Sequence, residues 1–294
     1  MTDKTKRRLC TAVFTLSLIS MAVFTVMYVK TQKEYRHSER DIAAVMEIRG
    51  AISPALTINE KSRLDEASLR AAEYESAQER REGCRLLKEI NQDVAAWITI
   101  AGTPIDYPVM QTPDSPDYYY RRGFDGRYSA YGMIYMDAAC RLREAEALYE
   151  AEAEEGKASP NCVIYGHHMK NGTMFASLEK YGSEDYYKEH PEICLDTPDS
   201  SSVYEIVGVV RLPAEKLSSG FAAVLAARTR EEYESFVQYI KKHAAYDTGI
   251  TAEWPQQLIT LTTCEYTLKD GRLLVVARKK RGGIRVADFS PFFT

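Results

Sequence analysis

The sequence opens with its longest apolar run. Residues 9–29 hold 21 positions without a charge, and Lys4, Lys6, Arg7 and Arg8 stand just before them. About 20 apolar residues span a bilayer core as a helix, and basic flanks stay on the cytoplasmic side. The pattern predicts a single-pass anchor with residues 1–8 in the cytoplasm and the remainder outside the cell. A cleaved signal peptide is the competing reading, but its apolar core is usually about 7–15 residues long, and no Ala-x-Ala site follows this run.

Polarity then rises. Residues 30–85 are charged, alanine-rich and poor in aromatics. They predict a helical stalk that holds a body off the membrane, with an unstructured linker as the alternative. A compact domain is expected over 86–294. Leu86, Ile90 and Val94 keep helical spacing, after which short apolar runs alternate with turn residues. The runs at 97–100, 105–109, 132–136, 162–165, 193–195, 204–211, 258–263 and 272–278 predict eight strands. Eight strands can close a small barrel filled by its own side chains. The fold class is therefore mainly β with helices.

Two helical segments interrupt the strands. Thr229 and Glu232 have capping-box spacing. Behind them Tyr233, Phe236, Val237 and Ile240 fall at i, i+3, i+4 and i+7, one apolar face that should pack on the barrel. The segment 141–155 carries six glutamates between 144 and 155 and predicts a solvated surface helix, or else an acidic docking face.

Composition narrows the class. Hydrophobic residues at 45% and charged residues at 27% fit a globular body. A net charge of −4, with no basic patch interleaved with aromatics, argues against nucleic acid as a partner. The six cysteines, Cys10, Cys84, Cys140, Cys162, Cys194 and Cys264, contain no CxxC pair, which argues against a zinc ribbon or a thioredoxin motif. Five lie outside the apolar run, so at least one is unpaired within the chain. Up to two disulfides can form among Cys84, Cys140, Cys162 and Cys194; their pairing is open, and all can be reduced. No carboxylate-rich cluster suggests a metal, and no cofactor is expected.

Candidate chemistry sits at strand ends. Cys264 closes the Thr-rich run 258–263, where a rigid strand meets an open loop, as a nucleophilic thiol requires; an inert buried cysteine is the plainer reading. Tyr165-Gly166-His167-His168-Met169 brings two of the five histidines to the exit of another strand. A distant Cys and His that meet in space form a nucleophile and its proton partner. Arg272 opens the last strand after a turn at Asp270-Gly271, and a hairpin with 258–263 would return it beside Cys264. Its fixed donors suit a developing oxyanion. Arg278, on the same strand and the same side, is the rival.

Together these stretches resemble one family. From about 86 to 280 the chain is similar to class B sortases in Asn91-Gln92-Asp93-Val94-Ala95-Ala96-Trp97, Ile105-Asp106-Tyr107-Pro108-Val109-Met110-Gln111, the Gly-His-His stretch, Asn171-Gly172-Thr173-Met174-Phe175, and Leu261-Thr262-Thr263-Cys264-Glu265-Tyr266. The resemblance implies a closed eight-stranded sortase-type barrel, with N-terminal helices and a long helix before the cysteine strand. It implies a cysteine transpeptidase with catalytic His167, Cys264 and Arg272, and a substrate groove at Tyr165, Thr262, Thr263 and Glu265. The implied donors are surface-protein precursors cleaved after a Thr in a sorting signal. The implied acceptor is a peptidoglycan cross-bridge or precursor amine. A pilin-polymerising sortase that uses a Lys, or a non-catalytic binding module on the same barrel, are the alternatives. Asp114-Ser115-Pro116 departs from the Asp-Asn that family members often carry there.

Overall fold

The structure is a computed structural model that describes residues 3–49, 56–142, 158–213, 215, 227–265 and 271–280. Eight strands are present where eight were expected: β1 (Val94–Thr99), β2 (Asp106–Met110), β3 (Ile134–Met136), β4 (Asn161–Tyr165), β5 (Glu192–Asp196), β6 (Ser201–Pro213), β7 (Leu258–Glu265) and β8 (Gly271–Lys279). They close into a barrel in the order β1-β2-β3-β4-β7-β8-β6-β5, with β1 pairing back to β5. β2–β3 and β4–β7 are parallel, and the other pairs are antiparallel. Strand alternation sends Ile98, Ile164, Ile206, Leu261 and Val275 into one buried cluster with Phe175 and Tyr181. Closure gives every strand of the barrel a neighbour on both sides.

The helices are α1 (Asp3–Arg49), α2 (Ile58–Lys61), α3 (Glu66–Ile90), α4 (Glu184–Glu189) and α5 (Arg230–His243). α5 forms as its spacing predicts. Thr229 Oγ1 accepts from Glu232 N, and Glu232 Oε2 accepts from Thr229 N, both at 3.2 Å. Tyr233, Phe236, Val237 and Ile240 are buried against Val210, Leu274 and Val276 on the outer face of β6 and β8. Gly208 permits this approach, since a Cβ there would lie 2.7 Å from Ile240 Cγ2.

The N-terminal helices lie differently from expectation. Leu86 and Ile90 are exposed and Val94 belongs to β1, so those three residues do not form a helical face. The buried stripe of α3 is Ser76, Ala77, Arg80, Gly83, Cys84 and Leu87. A hydrophobicity pattern hides it because a charged residue sits at its centre. Arg80 is 6% exposed and its Nε donates to Asp196 Oδ2 of β5, itself fully buried, at 2.6 Å. The expected boundary at 85/86 therefore falls within α3, after five of these six buried residues.

α1 is one helix of 47 residues and contains the expected anchor. Among the described residues it is the one helix long and apolar enough to cross a membrane. Its C-terminal half packs on the barrel. Val45 is buried, Asp41 Oδ2 accepts from Phe124 N at 2.7 Å, and Ser129 Oγ donates to Ser38 Oγ at 2.8 Å. The acidic segment after Leu142 lies outside the described residues.

Removing one member of a buried ion pair strands the other charge, at about 3–5 kcal/mol. Arg80→Ala should lower unfolding stability by that amount in urea titration; a loss under about 1 kcal/mol would show that α3 is not needed by the barrel.

Candidate active site

One parallel pairing decides where chemistry can gather. β4 and β7 run side by side in register from Asn161↔Leu258 to Tyr165↔Thr262, and Gly166 N donates to Thr262 O at 3.1 Å. Both strands therefore leave the barrel at the same rim. β8 runs the other way and begins at that rim, with Cys264↔Arg272 and Glu265↔Gly271 as register partners. The Gly-His-His exit, the cysteine position and the first arginine of β8 thus share one end of the barrel.

The two histidines have different surroundings. His167 Nε2 donates to the carbonyl of Tyr120 at 2.8 Å, and its ring lies 4.7 Å from the Tyr120 ring. A carbonyl can only accept, so the neutral ring carries its proton on Nε2 and leaves Nδ1 as the basic nitrogen. Burial lowers the His167 pKa below the ordinary imidazole value; the Tyr120 carbonyl partly opposes this and the Arg121 charge adds to it. His168 instead forms a bridge with Met174 and places Nε2 3.3 Å from Glu179 Oε2. One ring is held at the barrel rim against Tyr120, and the other is tied into the following loop.

That loop explains the Asn171-to-Phe175 stretch. Phe175 is fully buried and its N–H donates to His167 O at 3.0 Å. A Cβ at position 166 would lie 2.4 Å from the Phe175 ring, so a glycine must precede His167. Asn171 Nδ2 donates to Tyr131 OH at 2.6 Å, and Tyr131 OH donates to Glu39 of α1 at 3.0 Å. The loop carrying His167 is thereby fastened to the barrel below and to α1 beside it.

The two arginines of β8 also separate. Arg278 pairs in register with Leu258, at the far end of β7. Its guanidinium is engaged by Glu205 at 2.9 Å and by the Thr251 carbonyl. Arg272 is half-buried opposite Cys264, and its Nη1 donates to Gly271 O at 3.0 Å. Arg278 acts as a strut between β8 and β6, and Arg272 stands at the rim.

Among the expected groove residues, Tyr165 is half-buried, stacks on Tyr135 at 5.2 Å and donates its hydroxyl to Asp137 Oδ2 at 3.3 Å. Thr262 and Thr263 are buried, and their side-chain oxygens have no hydrogen-bond partner among the described residues. Asp114-Ser115-Pro116 lies in a turn, with Ser115 N donating to Thr112 O at 3.1 Å. Among the described residues no group of three or more His, Cys, Asp and Glu side chains could hold a metal ion. Tyr120 and Asp137 are site neighbours that sequence reasoning missed. Tyr120 acts through a main-chain oxygen, which no residue pattern encodes. Asp137 follows a predicted strand directly, and its position after Met136 was the available signal.

A family model described as Sortase domain matches residues 136–280. The chain is 29% identical over 198 residues to Sortase B of Listeria monocytogenes, covering 66% of this chain and 73% of that protein. The X-ray structure of Clostridium perfringens sortase B superposes with a TM-score of 0.56 at 29% identity, over 67% of this chain and 98% of that one. A Staphylococcus aureus sortase B–substrate complex shares the fold with a TM-score of 0.59 at 23% identity, over 76% and 98% of the two chains.

With burial dominant, His167 should titrate below the unperturbed value of about 6.5. Imidazole-selective NMR across pH 4–9 (roughly the range spanning that value), assigned with a His167→Gln chain, reads the midpoint directly. A midpoint above about 6.5 would mean that an unaccounted negative charge faces the ring.

Proposed function

The chain belongs to the class B sortases, and from that premise we propose that Cys264, His167 and Arg272 are its catalytic residues. Its activity is that of a cysteine transpeptidase with a sortase barrel. The observation that carries the residue assignment is the pairing of Cys264 with Arg272 beside the β4 exit. Directly opposed positions of an antiparallel ladder have Cα atoms about 4.5–5.5 Å apart and share a face of the sheet. A guanidinium there can reach the carbonyl that a thiolate at 264 attacks.

The steps follow from the groups. Neutral His167 takes the Cys264 proton, since its lowered pKa keeps it unprotonated at neutral pH. The thiolate attacks the Thr carbonyl of a sorting signal, and the C=O electron pair moves onto oxygen. Arg272 N–H donors hold that oxyanion. The carbonyl re-forms, the C–N bond breaks, and the imidazolium hands its proton to the leaving amine. A thioester on Cys264 remains. An acceptor amine gives a proton back to His167, attacks the thioester and releases the thiolate. We place that amine on a peptidoglycan cross-bridge or its precursor, and the donor on a surface-protein precursor.

We further propose that residues 9–29 cross the membrane with the N-terminus in the cytoplasm and the barrel outside. Continuity of α1 supports this reading and sets a distance. Ser38, buried against the barrel, is nine residues beyond Val29, about 14 Å along a helix axis. The barrel then rides close to the bilayer, where lipid-linked precursors and partly exported chains are both within reach.

Arg272→Ala should lower kcat/KM on a sorting peptide by about 10²–10³-fold, the usual effect of deleting one oxyanion donor. Arg278→Ala should chiefly lower thermal stability. Equal losses of activity from both would remove the special role of position 272. Triglycine added to the assay should divert the product from free acid to peptide conjugate. A product that stays wholly hydrolysed at saturating amine contradicts transfer.

A further inference from the structure

Two buried thiols outside the proposed catalytic set face each other. Cys140 follows β3 in a turn, and Cys162 is the second residue of β4. The sulfur of Cys140 lies 3.6 Å from Asn161 O and 3.4 Å from Val163 N, the peptide groups on either side of Cys162. In return the Cys162 sulfur lies 3.5 Å from the carbonyl of Arg141, the residue after Cys140. Each sulfur thus rests against the backbone that carries the other. Cys140 is 8% exposed and Cys162 is fully buried. Gln111 holds the turn in place, with Nε2 donating to Asp137 O and Cys140 O, both at 2.8 Å.

We propose that Cys140 and Cys162 are a disulfide pair, closed when the chain folds in an oxidising compartment. The reaction is thiol–disulfide exchange with an external disulfide, R–S–S–R. A Cys140 thiolate attacks one sulfur of R–S–S–R and expels one RS⁻, which is protonated to RSH. The Cys162 thiolate then attacks the Cys140 sulfur of the mixed disulfide and expels the second RS⁻. Two thiols are oxidised, one external disulfide is reduced to two thiols, and the two cysteine protons pass to the leaving groups.

The placement gives the bond a purpose. Arg141 and Ser159 form the neck from which the acidic segment departs, with Ser159 N donating to Arg141 O at 2.8 Å and Arg141 N donating to Ser159 Oγ at 2.9 Å. Gln257 Nε2 donates to both Arg141 O and Ser159 O across the same neck. A 140–162 bond closes it covalently. It thereby fixes β4, whose end delivers Gly166 and His167, regardless of what the acidic segment does. It also narrows the open cysteine arithmetic. Cys84 and Cys194, which burial pushes up to about 12 and about 11, remain as inert thiols.

The test uses the full chain in detergent, with Cys264→Ala to remove one competing thiol, equilibrated against glutathione buffers from fully reduced to fully oxidised. Samples are acid-quenched, denatured, alkylated, digested and analysed by mass spectrometry. The expected result is one linked peptide joining Cys140 to Cys162, with Cys84 and Cys194 recovered alkylated. The oxidised form should unfold about 5–10 °C higher than the reduced form, as for a loop of roughly this length. A Cys140→Ala chain should lose that difference. Recovery of both thiols alkylated in the most oxidising buffer, or a link from either to another cysteine, overturns the proposal. Neither result bears on the catalytic assignment, which Cys264 variants test separately.

Discussion

The parallel ladder between β4 and β7 is the constraint from which the rest follows. Five consecutive residue pairs, from Asn161↔Leu258 to Tyr165↔Thr262, lock two strands that lie far apart in sequence. Slipping the register by one residue would invert which side chains enter the core, and Ile164 and Leu261 both sit in that core. The ladder is therefore fixed by hydrophobic burial, and the positions beyond its end inherit the precision. His167 is two residues past β4, and Cys264 is two residues past Thr262. The β7–β8 hairpin then adds Arg272 across from Cys264. A catalytic rim needs little else from the backbone than two parallel strand ends and one returning strand.

Around this rim the N-terminal helices act as outer supports. α3 is tied to β5 through the buried Arg80–Asp196 pair, and β5 closes the barrel against β1. α1 touches the segment that carries Tyr120, Tyr131 and Ser129. Tyr120 supplies the carbonyl that orients His167, and Tyr131 receives Asn171 from the histidine loop. Two hydrogen bonds, Tyr131 to Glu39 and Asn171 to Tyr131, thus link the C-terminal half of α1 to the loop that follows His167.

Much of this was legible because local rules and the global fold agree. All eight strands and the capped helix α5 follow from periodicity and turn chemistry, and Cys264, His167 and Arg272 fall at strand ends where a pattern can find them. What escaped had physical reasons. The buried face of α3 is centred on Arg80, and hydrophobic periodicity is blind to a charge that is buried by pairing. Its partner Asp196 is 116 residues away. The hydrogen bond that orients His167 is accepted by a backbone oxygen, which side-chain patterns do not encode. Arg272 and Arg278 lie on one side of β8; the hairpin places the first nearer the cysteine, and the register pairs it with Cys264 and the second with Leu258. Cysteine pairing was equally silent, because proximity of Cys140 and Cys162 arises from the turn after β3 and not from spacing.

The central claim is that an acyl group passes through the sulfur at position 264. The most direct measurement is an intact-mass experiment on the full chain, incubated with a Thr-containing sorting peptide without any amine and quenched in acid. The account predicts a mass gain equal to the N-terminal peptide fragment, mapped after digestion to Cys264 and released by hydroxylamine or triglycine. An adduct located on another residue, or cleavage that continues in a Cys264→Ala chain, would contradict it.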